Sequence, residues 1–245
     1  ITGACGYVGS SLTPYLLSKG HKINAIDIQW FGNYLDEHPN LKLQKKDIRE
    51  VEESDFANID TIIHLANIAN DPGVELNPTL SWDVNVLATQ HLADLATRNG
   101  ISQFIYASSG SVYGVKEEEH VTEDLSLVPI SIYNKTKMVS ERVLISYSDT
   151  MKIHNIRPAT VCGFSPRMRL DVSVNMLAFQ AFKNKKITVF GGDQVRPNIH
   201  IKDMIRVYDH FIEKGQEIES GNYNAGFENI SILQIAEMII SKLPA

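Results

Sequence analysis

The sequence has little of what marks several large protein classes, beginning with cysteine. Cys5 and Cys162 are the two cysteines in 245 residues, and they stand in unlike contexts that match no metal-ligand spacing. We therefore expect free thiols and a reducing, cytoplasmic location rather than a disulfide framework. A single Cys5–Cys162 disulfide is the less favoured alternative. The eight histidines also show no ligand spacing, so no metal is expected.

Long apolar runs and an excess of positive charge are missing as well. No stretch is long enough to span a bilayer, and no signal peptide is recognisable, although an export signal removed upstream of Ile1 stays an open alternative. The 23 Lys and Arg residues face 29 Asp and Glu residues, which gives a net charge of -6. Because polyanion binding needs clustered cations, we expect no nucleic-acid partner, and we expect no membrane association.

What the sequence does contain is an alternation of short apolar runs and amphipathic stretches. Runs rich in Ile and Val that are separated by helices of ten or more residues indicate βαβ units. The pattern therefore predicts an α/β fold with a Rossmann-type, doubly wound parallel sheet. The expected strands are 22–28, 60–65, 103–107 and 152–156, and the expected helices are 7–18, 79–98 and 133–147.

Beyond Pro158 this alternation loosens. We expect a dinucleotide-binding domain over 1–160 and a smaller mixed α/β substrate lobe over 161–245, with some segments returning to the main sheet. Ile1 and Thr2 resemble the last residues of a first strand, and the other end stops soon after a helical pattern. We therefore expect a fragment of a longer chain.

A glycine-rich turn stands where the first strand should meet the first helix. Gly3-Ala4-Cys5-Gly6-Tyr7-Val8-Gly9 lets the backbone approach a pyrophosphate, and the helix that follows offers free N–H groups to the anion. Asp27 ends the next expected strand, about 20 residues on, where a carboxylate binds ribose hydroxyls. The segment 28–30 supplies no cation for a 2′-phosphate, so NAD is favoured over NADP. A solvated acid in a loop is the alternative.

A second group of polar residues has the chemistry of alcohol oxidation. Ser108-Ser109-Gly110-Ser111 follows an expected strand, and Tyr133 and Lys137 are spaced to share one helical face. A tyrosine is a weak base at neutral pH unless a nearby cation favours its phenolate. Serine, tyrosine and lysine together form a proton relay beside a hydride acceptor. The alternative is a surface tyrosine and a solvated lysine.

Over nearly its whole length the sequence resembles the extended short-chain dehydrogenase/reductases, within them the nucleotide-sugar epimerases and dehydratases. The motifs that carry the resemblance are the glycine loop, Asp47-Ile48-Arg49, His64-Leu65-Ala66-Asn67, Asn85 in a helix, Ser108-Ser109-Gly110-Ser111-Val112-Tyr113-Gly114, Tyr133 with Lys137, Arg157-Pro158-Ala159-Thr160, and Gly191-Gly192-Asp193-Gln194-Val195-Arg196-Pro197.

This resemblance implies a role for each matching residue. Ser109, Tyr133 and Lys137 are the implied catalytic residues. With the glycine loop and Asp27, the implied NAD contacts are Gly3, Gly6, Tyr7, Val8, Gly9, Asp27, Ile28, Asp47, Ile48, Leu65, Ala66, Asn67, Asn85, Ala107, Ser108, Tyr133, Lys137 and Pro158. The implied substrate contacts are Ser109, Ser111, Thr160, Arg169, Asn175 and Arg196, with Arg196 on the nucleotide diphosphate.

The sequence departs from the family pattern in three places. Dehydratases carry Asp-Glu after the catalytic hydroxyl residue, whereas Gly110-Ser111 stands here and argues against dehydration. Thr160 replaces a common Asn, which leaves that sugar contact open. Arg167-Met168-Arg169-Leu170-Asp171 is typical of a smaller subgroup that includes some sugar dehydrogenases; its arginines are candidates for a substrate phosphate, and a structural salt bridge to Asp171 is the alternative.

The resemblance favours an NAD-dependent epimerase of a nucleotide-diphosphate sugar, acting at C4 of a hexose. A net sugar-nucleotide dehydrogenase or reductase using NAD or NADP is the second interpretation. A non-catalytic NAD-binding protein is the third, because a fold alone does not establish activity. A homodimer paired through helices 79–98 and 133–147 is expected, as in family members, although both helices are equally explained as a cover for the sheet.

Overall fold

A computed structural model describes residues 1–118 and 120–242. Its main sheet is parallel and holds six strands. Thr2 bridges Ile26 on one side and His64 on the other, so the chain start lies at the centre of this sheet. The strands are β1 Ile23–Asp27, β2 Leu41–Lys45, β3 Thr61–His64, β4 Gln103–Ala107, β5 Lys152–Pro158 and β8 Gly221–Ala225. The order across the sheet is β2, β1, Thr2, β3, β4, β5, β8.

Helices cover both faces of the main sheet, because each face carries a row of apolar side chains that must be buried. One face packs against α1 (Gly9–Ser18) and α7 (Ile201–Lys214), and the other against α4 (Ala88–Arg98) and α5 (Ile132–Ile145). Two short helices, α2 (Asp71–Leu76) and α3 (Pro78–Trp82), precede α4. These contacts make the sheet the core of the molecule.

A second, smaller sheet lies in the later part of the chain. Its strands β6 (Thr160–Cys162) and β7 (Val195–His200) are parallel, and β9 (Glu228–Ser231) is antiparallel to β7. Helices α6 (Ser173–Asn184) and α8 (Ile232–Lys242) pack together over a small apolar cluster around Leu177 and Ile235. Much of the chain from residue 160 onward thus forms a smaller lobe. The exceptions are α7, which packs on the main sheet, and β8, which is a strand of that sheet.

The predicted α/β fold with a doubly wound parallel sheet is confirmed, and single elements differ in detail. The expected helix 79–98 is interrupted by a π-helical turn at Asp83–Leu87. Asn85 lies in this turn, where its side chain exchanges hydrogen bonds with both backbone groups of Ile68. Within the described residues no helix is both long and apolar enough to cross a bilayer. The expected chain end at Pro244-Ala245 lies outside those residues.

Candidate active site

The glycine loop is held in a form that side chains would not permit. Gly3 has φ of +73°, and a Cβ there would lie 2.5 Å from the backbone nitrogen of Ala66. A Cβ on Gly9, the first residue of α1, would lie 2.3 Å from the carbonyl oxygen of Gly3. At Gly6 that oxygen is the nearest atom, at 3.2 Å, so the surrounding space is open to a phosphate. The loop therefore fits a pyrophosphate at the start of α1.

Asp27 ends β1 beside this loop. Its Oδ2 accepts a hydrogen bond from the Cys5 backbone nitrogen at 2.9 Å, and its Oδ1 accepts one from the Gln29 nitrogen at 2.6 Å. Gln29 adopts a positive φ of 59° to make that turn. The carboxylate is thus fixed at the carboxyl end of the strand, where an acidic side chain can accept hydrogen bonds from the ribose hydroxyls of a dinucleotide.

Most of the other predicted cofactor residues line the same edge of the sheet, after the ends of β2, β3, β4 and β5. Asn67 follows β3, and its buried Oδ1 has no hydrogen-bond partner among the described residues, as expected of an atom awaiting a ligand. Asp47 instead binds the Arg49 guanidinium, whose hydrogen bonds lower the pKa of Asp47, and Ile48 is buried. Together with the glycine loop and Asp27, these residues fit a dinucleotide.

Tyr133 and Lys137 stand one turn apart on α5, against the carboxyl end of β4. The Lys137 Nζ donates to the Ala107 carbonyl at 2.5 Å and lies 5.7 Å from the centre of the Tyr133 ring. Burial lowers the pKa of Lys137 to about 7. Burial also raises the pKa of Tyr133, although Arg169 and the Ser109 hydroxyl act in the opposite direction. The phenolate therefore needs a further positive charge, which an oxidised nicotinamide provides.

Ser109 follows this strand end directly. Its Oγ lies 2.8 Å from the Ser111 Oγ and accepts a hydrogen bond from the Ser111 backbone nitrogen. The Ser109 hydroxyl also lies close enough to the Tyr133 hydroxyl to lower the pKa of Tyr133 by hydrogen bonding. The structure thus brings the three predicted catalytic residues together.

Sequence reasoning missed a buried ion pair that supports this arrangement. Glu141, one turn beyond Lys137 on α5, accepts a hydrogen bond from the Ser108 hydroxyl at 2.5 Å and two from the Arg157 guanidinium at 2.9 and 2.8 Å. Both side chains of the pair are 2% exposed. Arg157 also donates to the Tyr113 hydroxyl at 2.7 Å. The signal available in the sequence was the acid at the fourth position after the lysine.

The side chain of Asn175, a predicted substrate contact, forms its hydrogen bonds with other protein groups. Its Oδ1 accepts from the Gly163 nitrogen at 2.9 Å, and its Nδ2 donates to the Tyr7 hydroxyl at 3.1 Å and to the Arg169 carbonyl at 2.9 Å. The Tyr7 hydroxyl in turn donates to the Gly163 carbonyl. These bonds join the smaller lobe to the glycine loop.

Arg169 approaches Tyr133 closely enough to lower its pKa, and it forms the salt bridge to Asp171 that the sequence left as an alternative. Its guanidinium donates to the Asp171 carboxylate at 3.1 and 2.5 Å. The Asn70 amide donates to the same carboxylate at 2.7 Å, from a backbone with φ of 68°. Residues from two separate loops therefore meet beside the tyrosine.

Thr160 and Arg196 lie on neighbouring strands of the small sheet. Thr160 begins β6, two residues after Pro158, and pairs in register with Asn198 of β7. Arg196 is exposed on β7, and Gln194 accepts a hydrogen bond from it at 3.5 Å. This placement leaves the Arg196 guanidinium accessible to a ligand.

Comparison with known proteins agrees with this geometry. Residues 1–226 match the NAD dependent epimerase/dehydratase family. The chain belongs to this family. The expected cofactor, NAD, is confirmed as the cofactor of the family, and the family resemblance is confirmed with it. Among the described residues, no group of three or more His, Cys, Asp or Glu side chains is placed to hold a metal ion.

Several proteins that are similar to this chain have names that refer to nucleotide sugars. The chain is 30% identical to the uncharacterized UDP-glucose epimerase YtcB of Bacillus subtilis, over 98% of this chain and 80% of that protein. It is 29% identical to UDP-glucuronic acid decarboxylase 1 of Xenopus tropicalis, over 84% of this chain but 51% of that protein. The chain thus spans about half the length of some relatives.

Solved structures show the same fold. UDP-glucuronic acid 4-epimerase from Bacillus cereus, solved with UDP-glucuronic acid and NAD, is 29% identical, with a TM-score of 0.86 over 100% of this chain and 83% of that chain. MoeE5, solved with UDP-glucuronic acid and NAD, is 26% identical, with a TM-score of 0.86 over 98% and 80% of the two chains. Relatives and neighbours include epimerases, dehydratases and decarboxylases, so the family leaves the reaction open.

Proposed function

We propose that this protein is an NAD-dependent epimerase of a nucleotide-diphosphate sugar and that it acts at C4 of the hexose. The observation that carries the proposal is the proximity of Ser109, Tyr133 and Lys137 beside the end of β4, at the same edge of the sheet as the glycine loop. The similarity to a UDP-glucuronic acid 4-epimerase supports the position on the sugar. The Gly110-Ser111 pair after Ser109 supports epimerisation over water elimination.

In the proposed reaction Tyr133 takes the proton of the sugar hydroxyl that is oxidised. The Ser109 hydroxyl donates a hydrogen bond to the same oxygen, and the Lys137 ammonium favours the phenolate. NAD, which the glycine loop and Asp27 would hold, would supply the hydride acceptor for the sugar carbon and the hydride for the opposite face of the keto-sugar. Tyr133 then gives its proton back to the oxygen of the transient keto-sugar, so the cycle consumes no cofactor. Arg196 and Thr160 are the proposed contacts to the diphosphate and the sugar.

The reaction is tested by following the sugar and NADH in one sample. The protein is mixed with catalytic NAD and a panel of nucleotide sugars, while proton NMR follows the sugar and absorbance follows NADH. A new stereoisomer without accumulating NADH supports the epimerase. NADH that rises in step with substrate loss contradicts it and assigns a net dehydrogenase. NAD binding without turnover of any sugar assigns a binding protein.

Replacing Tyr133 by Phe removes the base and keeps the ring. We expect kcat to fall by at least about 100-fold, since a positioned general base contributes roughly 10²–10⁴ in rate. NAD binding, measured by calorimetry, should stay within about twofold. Tyr147→Phe is the matched control, because Tyr147 hydrogen-bonds to Asp94 near the end of α5. Near-normal turnover by Tyr133→Phe contradicts the assignment.

Two expectations remain predictions. A homodimer is expected, and light scattering of the purified protein tests it. A cytoplasmic location is expected from the sparse, unpaired cysteines and is tested by fractionating the source cells.

A further inference from the structure

A stretch of the substrate lobe, residues 163–171, is fastened along the first turns of α1; we name it the pinned segment. Ser165, which is fully buried, donates from its Oγ to the Tyr7 carbonyl at 2.6 Å. The same Oγ accepts from Ser11 at 2.9 Å and lies 2.9 Å from the Ser10 Oγ. The Arg167 backbone nitrogen donates to Ser10 at 3.2 Å. These bonds place the backbone of Arg167 beside the helix whose start is the proposed pyrophosphate site.

The side chain of Arg167 then extends toward the ribose side of the same site. Its guanidinium lies 4.0 Å from the centre of the Phe31 ring, in the loop that follows Asp27. Burial and the neighbouring Arg169 lower the pKa of Arg167, while Asp171, Tyr34 and Asp27 act in the opposite direction. Within the described residues, this guanidinium forms no salt bridge and no hydrogen bond with a protein acceptor.

A half-buried arginine whose donors are unused is suited to bind a ligand. Stacking on an aromatic ring fixes the guanidinium plane and leaves its edge of N–H donors free for a phosphate. The Asp27 carboxylate already accepts two backbone hydrogen bonds and does not bind Arg167 directly. The sequence placed no cation near Asp27, because Arg167 follows it by 140 positions.

We propose that Arg167, held by Phe31 and by the pinned segment, binds a phosphate of the adenosine half of the dinucleotide and retains the cofactor. A residue of the substrate lobe then closes the cofactor site. The binding of a cofactor phosphate by Arg167 does not depend on the proposed function, but the use of this retention does. An epimerase must keep its cofactor from hydride removal to hydride return, and Arg167 contributes to that retention.

The test compares nucleotide release from variants of the full chain. Arg167→Ala, Arg167→Lys and Phe31→Leu are purified beside wild type and beside Arg206→Ala, the control. Arg206 is an exposed arginine on α7 that pairs with Asp203. Two quantities are measured: the NAD retained per chain after gel filtration, and the rate at which bound NADH fluorescence falls after an excess of NAD is added.

We expect Arg167→Ala to release NADH at least tenfold faster, since charge-assisted hydrogen bonds to phosphate are among the stronger ones. Arg167→Lys keeps the charge without the stacked fork, so an intermediate rate is expected. Phe31→Leu should accelerate release less than Arg167→Ala, and Arg206→Ala should match wild type.

An unchanged NADH release rate in Arg167→Ala overturns the proposal. If the same variant also has a raised Kd for uridine diphosphate, measured by calorimetry, Arg167 is assigned to the substrate diphosphate instead. These measurements need no turnover, so they remain decisive if no nucleotide sugar is epimerised. Conversely, an active epimerase whose Arg167→Ala variant holds NADH normally keeps the proposed function and loses this inference.

Discussion

Lys137 is a buried amine whose charge is held by the Ala107 carbonyl and by the face of the Tyr106 ring, 4.7 Å away. Burial lowers the pKa of Lys137 to about 7, because it disfavours the charged form more than the nearby Glu141 carboxylate favours it. In the unfolded chain a lysine titrates near ~10.4. Between these values the unfolded chain binds a proton that the folded chain has released.

The free energy of unfolding should therefore rise with pH from about 7 upward. The limiting slope for one such group is about 1.4 kcal/mol per pH unit. Lys137→Met should lose this rise, and urea unfolding of nucleotide-free protein between about pH 6 and pH 9.5 measures it. Lys202→Met, at an exposed position on α7, is the control. Parallel pH profiles for wild type and Lys137→Met would show that this lysine stays charged.

Helix α5 and strand β4 define the site as a pair of elements. Lys137 and Glu141, one turn apart on α5, hold the consecutive residues Ala107 and Ser108 at the end of β4. The π-helical turn at Asp83–Leu87 holds α5 from the other side, since the Asn85 carbonyl accepts a hydrogen bond from Ser140. The position of Ser109 relative to Tyr133 follows from these contacts.

Replacing Glu141 by Gln leaves Arg157 as a buried cation without its counter-charge. We expect the free energy of unfolding to fall by about 3–5 kcal/mol, the usual result of breaking a buried pair on one side. Denaturant unfolding measures it, and kcat should fall with it because the amide keeps one of the two carboxylate oxygens that accept from Ser108 and Arg157. Glu217→Gln breaks the exposed pair with Lys214 and should change stability by less than about 1 kcal/mol. A similar small loss in Glu141→Gln would contradict the structural role.

At the scale of the whole molecule, the pinned segment joins the smaller lobe to the main sheet. Ser165 lies 155 positions from Ser10 in the chain and bonds to it directly. The Tyr7–Gly163 and Asn175–Tyr7 hydrogen bonds add to this connection. Motion of the lobe is therefore restrained at the glycine loop itself.

Ser165→Ala should loosen this connection while removing one oxygen atom. We expect a loss of about 1–3 kcal/mol in the free energy of unfolding, since buried partners are left without hydrogen bonds. Trypsin should also cut faster after Arg167 and Arg169, which gel electrophoresis follows. Ser146→Ala, at the exposed end of α5, is the control. Unchanged cleavage at both arginines would mean that other contacts hold the segment.

Much of the fold was predictable because its signals are local. The alternation of apolar strands and amphipathic helices predicts the parallel sheet, and Ile1-Thr2 resembles the end of a first strand. The structure places Thr2 between Ile26 and His64, at the centre of the sheet. The π-helical turn was not predicted, since the apolar periodicity of 79–98 is that of a continuous helix. The Asn85 side chain in this turn binds the backbone of Ile68, a tertiary contact that the periodicity does not show. The Glu141–Arg157 pair was likewise missed, because the spacing of Glu141 from Lys137 does not show which distant cation Glu141 meets.

The sequence by itself determined the glycine loop, the position of the Asp27 carboxylate at the end of β1, and the spacing of Tyr133 and Lys137. These depend on neighbours along the chain and on the geometry of one strand, turn or helix. The tertiary structure alone decided that Glu141 meets Ser108 and Arg157, and that Arg167 stacks on Phe31. Such contacts join residues from distant parts of the chain, and only the packing of whole elements determines which distant side chains meet.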